Sequence, residues 1–407
     1  MSLPDVQVLV EFSGFDPAYQ PYFQLDSSEK GRLGNENFRL APVGLLDITS
    51  RVRGVNFGRG KGARFANFQA GQLQVEFNNH DRAFDPLYPD SPFAGNIIPR
   101  REIRVSLGTA VQFTGWIDDW DLSYSPNGNS LAGAVASDAF TILANQALTA
   151  GTPTQERTDV RIAESLDDPN VNWSTELRDL EEGTVDVGTQ AIAENTNALS
   201  YMQTVTETES GLFFIGKDGS VTFRNKTQAP TSVGLVTFDQ GTNIPYAKIG
   251  IIFGAELLYN QVSIANEGGT TQTANALTSQ GEYGIRQLAI TNLLGATDGQ
   301  SLDLANRLLD QYSDPEYRVE QLEVNLHDLD PAEQEEVLGL ELGSVCKVEF
   351  TPNGIGDPIE RFISVIKIDH RVTPDRHFVQ FGFQEIKFLA LVLDDAVFGK
   401  LDEGTLG

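Results

Sequence analysis

Residues 101–138 read Arg101-Glu-Ile-Arg-Val-Ser-Leu107, then Phe113-Thr-Gly-Trp-Ile-Asp-Asp-Trp-Asp-Leu-Ser-Tyr-Ser-Pro126, then Leu131-Ala-Gly-Ala-Val-Ala-Ser-Asp138. Near the other end the chain reads Leu342-Gly-Ser-Val-Cys-Lys-Val-Glu-Phe350, then Phe362-Ile-Ser-Val-Ile-Lys-Ile-Asp-His-Arg-Val-Thr-Pro374, then His377-Phe-Val-Gln-Phe-Gly-Phe-Gln-Glu385. Each stretch is a strand, a long strand closed by a Pro-bearing turn, and a returning strand. Few letters match, but the rhythm does. Two copies of one β module point to a ring-building protein rather than an enzyme with a single pocket.

Working outward, Val8–Phe12 is a short apolar strand and Gln72-Leu-Gln-Val-Glu-Phe77 alternates at period two. The turn-rich run 78–93 must be an ordered loop, since Phe84, Leu87, Tyr88 and Phe93 would otherwise be stranded in water. With strands at 101–107, 111–124 and 130–138, this makes a first antiparallel barrel or sandwich. The pattern then turns helical at 139–147 and 158–168, and again after Asn195 as N-cap, with Leu199, Met202 and Val205 on one face before Gly211. A hairpin follows at 213–224, turning at Lys217-Asp-Gly-Ser220. The second half is β again: a strand at 259–264, a Gly/Thr-rich loop at 267–280 and a strand at 283–291. A helix near Ser301 places Leu302, Ala305, Leu308, Leu309 and Tyr312 on one face and stops at Asp314-Pro315. Strands at 317–325, 344–350, 361–372 and 377–383 finish a second barrel. The expected fold class is mainly β with an α+β insert: two antiparallel β-barrels per chain plus a small helix-and-hairpin domain. The divisions are 1–147, 148–235, 236–388 and a C-terminal tail at 389–407, apolar and then acidic.

The chain has 407 residues, enough for several cores. The N-terminus shows no signal peptide, and no apolar run is long enough to span a membrane. One cysteine, Cys346, leaves no internal disulfide or cysteine-based zinc site; in its alternating strand it reads as a buried thiol, consistent with folding in a reducing cytoplasm. The net charge of −28 repels a nucleic-acid duplex, yet it suits the wall of a channel through which nucleic acid slides without sticking. Against this acidity, residues 51–64 hold five bases and no acid: Arg51, Arg53, Arg59, Lys61 and Arg64. They read as a flexible basic loop that docks on an acidic neighbour.

Searches for chemistry fail on spacing. Gly58-Arg-Gly-Lys-Gly-Ala63 lacks the P-loop spacing and leads into a strand, not a helix. Asp119 and Asp121 share a strand face, and Trp116 and Trp120 resemble a sugar platform; a solvated strand with tryptophans in the core or a subunit seam explains them as well. His80, His327, His370 and His377 show no i, i+2 or i, i+4 pairing; Asp369-His370 across a turn from His377 is the nearest approach to a site. Asn78, Asn79, Asp81 and Asp85 offer oxygen ligands without calcium-loop spacing. No catalytic residue, cofactor or metal site is expected.

Two sets of residues carry a family resemblance. The segment from Asp47-Ile-Thr49 through Asn78-Asn-His-Asp-Arg-Ala-Phe-Asp-Pro86 to Ile98-Pro-Arg-Arg-Glu-Ile-Arg-Val105 resembles the N-terminal domain of minor tail proteins from long-tailed phages of actinobacteria. The second half is similar to the baseplate-hub family of tailed phages, on Gly281-Glu-Tyr-Gly-Ile-Arg286, Ala305-Asn-Arg-Leu-Leu-Asp310, Pro315-Glu-Tyr-Arg-Val319 and Leu340-Glu-Leu-Gly-Ser-Val345; the 213–224 hairpin resembles one in that family's insert. The resemblance covers about 10–390. It implies a non-enzymatic virion protein at the tail tip. Three chains of two tube-like barrels each would form a homotrimeric, pseudo-sixfold collar. Its partners would be the tail tube or distal tail ring, the tape measure protein and other minor tail or fibre proteins, with DNA passing through unbound. The alternative is a carbohydrate-binding adhesin or glycoside hydrolase using Trp116, Asp119, Trp120 and Asp121. A secretion-system hub of common descent would share the fold.

Overall fold

A computed structural model describes residues 3–12, 45–126, 128–226 and 235–386. The tail at 389–407 lies outside the described residues. The first repeat is an antiparallel meander: β4 (Glu102–Leu107), β5 (Ala110–Ser123) and β6 (Leu131–Ser137). Ahead of it come β1 (Val6–Glu11), β2 (Val52–Gly60) and β3 (Gln69–Asn78). Across the sheet the order is β2-β3-β6-β5-β4-β1.

The second repeat has the same plan. Its meander is β9 (Val345–Phe350), β10 (Ile359–Thr373) and β11 (Arg376–Glu385), preceded by β7 (Lys248–Phe253) and β8 (Tyr317–Asn325). The order is β7-β8-β11-β10-β9. Both long middle strands carry a bulge against the returning strand, between Ile117 and Asp119 and between Val365 and Lys367.

Bulges and pairings set the residue register of the duplication. Trp120 faces Ala134 as Ile368 faces Phe381; Val75 faces Ala134 as Leu322 faces Phe381. In that register Gln74-Val-Glu-Phe-Asn-Asn-His-Asp81 lies on Gln321-Leu-Glu-Val-Asn-Leu-His-Asp328, sharing Gln, Glu, Asn, His and Asp. A repeat in the letters therefore exists in the third strand of each module, away from the meanders. Cys346 occupies the place of Ile103, and both are fully buried; burial pushes the thiol up to about 12.

The fold is mainly β, as expected, but the two expected barrels do not stand apart. Among the described residues fourteen strands, from both modules, form one sheet with free ends and no closed barrel, beside four small sheets. The joint is β2 against β10, from Val55 opposite Val372 to Gly60 opposite Lys367. It exists because β9 covers only 359–364 of β10, so the far half keeps one edge free for β2. One apolar core runs through both modules and the insert.

The insert contains α1 (Thr158–Asp167), α2 (Ala198–Glu209) and the hairpin Leu212–Ile215/Val221–Arg224, with Arg178–Leu180 as a third strand. The expected helix at 139–147 shrinks to Phe140–Leu143. α2 is capped by Asn197, whose side chain accepts from Ser200 N, and not by Asn195, which has a left-handed φ of +62° two residues earlier. Its far end is a left-handed Ser210. Gly211 follows under steric demand: a Cβ there would lie 2.5 Å from the Arg224 carbonyl oxygen.

Residues 257–313 are not barrel strands. They interrupt the β7–β8 connection, where the first module has only the short turn between β2 and β3. A three-stranded sheet (Gln261–Asn266, Gln272–Asn275, Gln287–Leu293) packs under α3 (Asp298–Tyr312) around its own core of Val262, Ile264, Leu304 and Leu308. The expected loop at 267–280 contains one of these strands, and the expected strand at 283–291 starts later, after a helix at Leu277–Tyr283. In α3 the inward residue is Leu304, not Leu302, which is 38% exposed. A capping box at Thr297 and Gln300 starts the helix earlier and sets the face.

Candidate interaction site

The basic segment 51–64 is not a flexible loop. Nine of its residues are β2, an interior strand bonded to β3 on one side and β10 on the other. Strict period-two alternation would put Arg53 and Arg59, six residues apart, on one face; the bulge between Val52 and Gly54 turns Arg53 outward, while Arg59 stays on the buried face with Val55 and Phe57.

Arg59 points inward and is 5% exposed. One Nη donates to Ile215 O in the insert at 2.8 Å, the other to Glu341 Oε1 in the second module at 2.7 Å. The other Glu341 oxygen accepts from Lys217 N, and Lys217 Nζ donates to Leu338 O. Three parts of the chain thus meet on one guanidinium. Burial lowers Lys217 to about 8, and burial raises Asp138, next to Arg59, to about 7. Asp138 accepts from Gly71 N and Phe140 N and so ties β3 to the short helix Phe140–Leu143 that follows β6.

Lys61 and Arg64 also turn inward. Lys61 Nζ donates to Arg64 O and lies 5.2 Å from the Phe68 ring, and burial brings it down to about 8. Arg64, in the β2–β3 connection, donates to Glu385 O of β11 at 2.7 Å and stacks 4.6 Å from the Tyr312 ring, linking that connection to the 257–313 unit.

Arg51 and Arg53 stay nearer the surface. Arg51 pairs with Asp81 at 2.8 Å and lies over Phe84 and Phe93. That contact holds the 78–93 loop, in which Phe84 and Phe93 are buried while Leu87 is 86% exposed. The Arg51 hydrogen bond draws Asp81 below the usual carboxylate range. The oxygens weighed as cation ligands serve this loop as well: Asn79 accepts from Phe84 N, and Asp85 binds Arg82 and Leu87 N. Arg53 is half exposed, 3.6 Å from Glu76. It lines a cavity of about 530 Å³ bounded by Asp5, Thr49, Val372, Asp375 and His377.

His370 and His377 are brought together, which sequence spacing only hinted at. His370 Nδ1 and His377 Nε2 are 3.1 Å apart and buried, and Phe57 stacks 4.4 Å from the His370 ring. Burial holds His370 well below its ordinary value, with His377, Lys217 and Arg59 adding to the effect; burial alone brings His377 to about 4. The pair is a neutral core element. Among the described residues no group of three acids, histidines or cysteines is arranged to hold a metal.

The carbohydrate candidates do not form a cleft. Trp120 donates Nε1 to Ile98 O and packs on Phe77 and Phe84, while Asp119 and Asp121 stand on an exposed strand. Asp118 sits at the bulge and is held by Ser137 at 2.6 Å. Sequence reasoning missed Glu341, Lys217 and the helix α4 (Pro331–Gly339). The last was readable, since Asp330-Pro-Ala-Glu333 spells a capping box with proline at the first helical position.

No protein-family model matches the sequence, and no curated protein matches it. Solved structures do match. A tail protein from Neisseria meningitidis MC58 superposes with a TM-score of 0.59 at 9% identity, covering 93% of this chain and 96% of that one. The 43 kDa tail protein of prophage MuSo2 from Shewanella oneidensis superposes at 0.56 and 12% identity, covering 94% and 98%. The fold is that of phage tail proteins. Both matches run nearly end to end, so the duplicated modules and the insert fall within the shared architecture.

Proposed function

We propose that this chain is a structural protein of a phage tail, a hub at the tail tip whose copies form a trimeric, pseudo-sixfold collar around the DNA channel. The observation that carries this reading is the duplicated five-strand module inside a tail-protein fold. Two equivalent modules per chain let three chains meet a sixfold tube above and a threefold tip below. The acidic composition suits a wall along which DNA slides. Partners on this reading are the tail tube or distal tail ring, the tape measure protein and further minor tail or fibre proteins, with the insert at 148–235 turned toward them. Of the basic candidates, Arg51 and Arg53 remain as docking groups; Arg59, Lys61 and Arg64 serve the chain's own joints. The reading assigns no catalysis to the chain.

Light scattering with negative-stain imaging of the purified chain tests the proposal. Trimers or rings are expected. A chain that stays monomeric at every concentration and binds glycans in a way abolished by Trp120→Ala would overturn it in favour of the adhesin alternative.

A further inference from the structure

The internal joint between the modules leaves two edges unmatched. β2 of the first module pairs antiparallel with the far half of β10, the middle strand of the second. The counterpart of β2 is β7, and the counterpart of that half of β10 is the far half of β5. Among the described residues β7 pairs only with β8, and β5 beyond Asp118 pairs only with β6. The chain therefore carries both halves of a second joint of the same kind, and they are not joined to each other.

We propose that β7 of one copy pairs antiparallel with Asp119–Tyr124 of the next copy, repeating the β2–β10 joint between molecules. The proposal rests on the collar reading and names its seam. The register follows from the duplication. Gly54 and Lys248 face the equivalent residues Glu76 and Glu323, so Phe57 corresponds to Ile251 and Arg59 to Phe253. On the other strand His370 corresponds to Leu122 and Ile368 to Trp120. Inside the chain Phe57 faces His370 and Arg59 faces Ile368. Between copies Ile251 would face Leu122, Phe253 would face Trp120, and Ile252 would face Asp121.

Exposure supports this match. Phe253 is 67% exposed, Ile252 40% and Tyr124 51%. Apolar side chains on an open strand edge are an aggregation hazard unless another strand covers them. Here they fall on the two strands that the internal joint would bring together. The contact is head-to-tail, because β7 and β5 are different surfaces, so it propagates and closes into a ring when the rotation allows.

Cysteine pairing tests the seam, with the sole native thiol buried and unreactive. Ile252→Cys and Asp121→Cys are prepared separately, mixed and oxidised. A disulfide dimer in the mixture and none in either variant alone is expected, and the double variant should give a ladder that ends at three chains. No cross-link in the mixture, or self-cross-linking of a single variant, overturns the seam. If cross-linking fails while the wild-type chain still forms trimers, the seam is wrong and the collar survives. If the mixture links but the ladder has no upper limit, the seam stands and the closed collar fails. Phe253→Arg, a change at an exposed side chain, should abolish self-association while the chain keeps its far-UV circular dichroism spectrum.

Discussion

Arg59→Met tests whether one buried guanidinium joins the two modules and the insert. Methionine roughly keeps the stem volume and removes the charge. The Ile215 carbonyl loses a buried donor, which costs about 1–3 kcal/mol. Glu341 loses its cation but keeps donors from Lys217 N and Leu342 N, and its side chain is 28% exposed, so water repairs part of that loss. The sum falls at the low end of the cost of breaking a buried pair, about 3 kcal/mol. Urea unfolding should show a lower midpoint, and hydrogen exchange should quicken first in the hairpin around Ile215 and in 338–344. Adding Glu341→Gln should recover part of the loss, because the two changes act on one interaction. A single variant within about 1 kcal/mol of wild type, or a fully additive double variant, would refute the three-way joint.

Other outcomes follow from the same structure. His377 drops from 6.5 to about 4 on folding, and His370 moves the same way. The unfolded chain then binds more protons, so stability is lost as pH falls from 6.5 toward 4, by up to about 3 kcal/mol for His377. His377→Gln should flatten this limb in urea titrations at stepped pH. Asp138 runs oppositely: raised from 3.8 to about 7, it destabilises the fold as pH rises through that window, and Asp138→Asn should remove that slope. Leu304→Ala should cost about 2–5 kcal/mol in thermal or urea unfolding, whereas Leu302→Ala should stay within about 0.5 kcal/mol, since only Leu304 faces the core. Gly60→Ala should destabilise strongly: φ is +136°, and a Cβ would lie 2.4 Å from Ile366 O at the joint between modules.

Local pattern was legible wherever burial alternates regularly. The strand Tyr317–Asn325 and both meanders lie where period two puts them, because most of their length has one face in the core, whereas the hairpin at 213–224, buried on both faces, was legible from its Lys217-Asp-Gly-Ser220 turn. Periodicity failed where a short insertion builds its own core, as at 257–313, and where Leu302 and Leu304 compete for one helix face. The basic run 51–64 misled for a related reason. Composition counts charges, but only the sheet decides which way each side chain points, and three of the five point inward. His370 and His377 are seven residues apart, and only the register of β10 against β11 brings their ring nitrogens to 3.1 Å.

The sequence by itself determined the strands, the duplication and the absence of any familiar catalytic spacing, because these depend on neighbours along the chain. Tertiary structure decided that two modules share one sheet, that Arg59 joins three segments, and which edges are left open. Those are contacts between residues more than a hundred positions apart, and local pattern carries no term for them. Even the letters shared by Gln74–Asp81 and Gln321–Asp328 became visible only once the bulges had set the register.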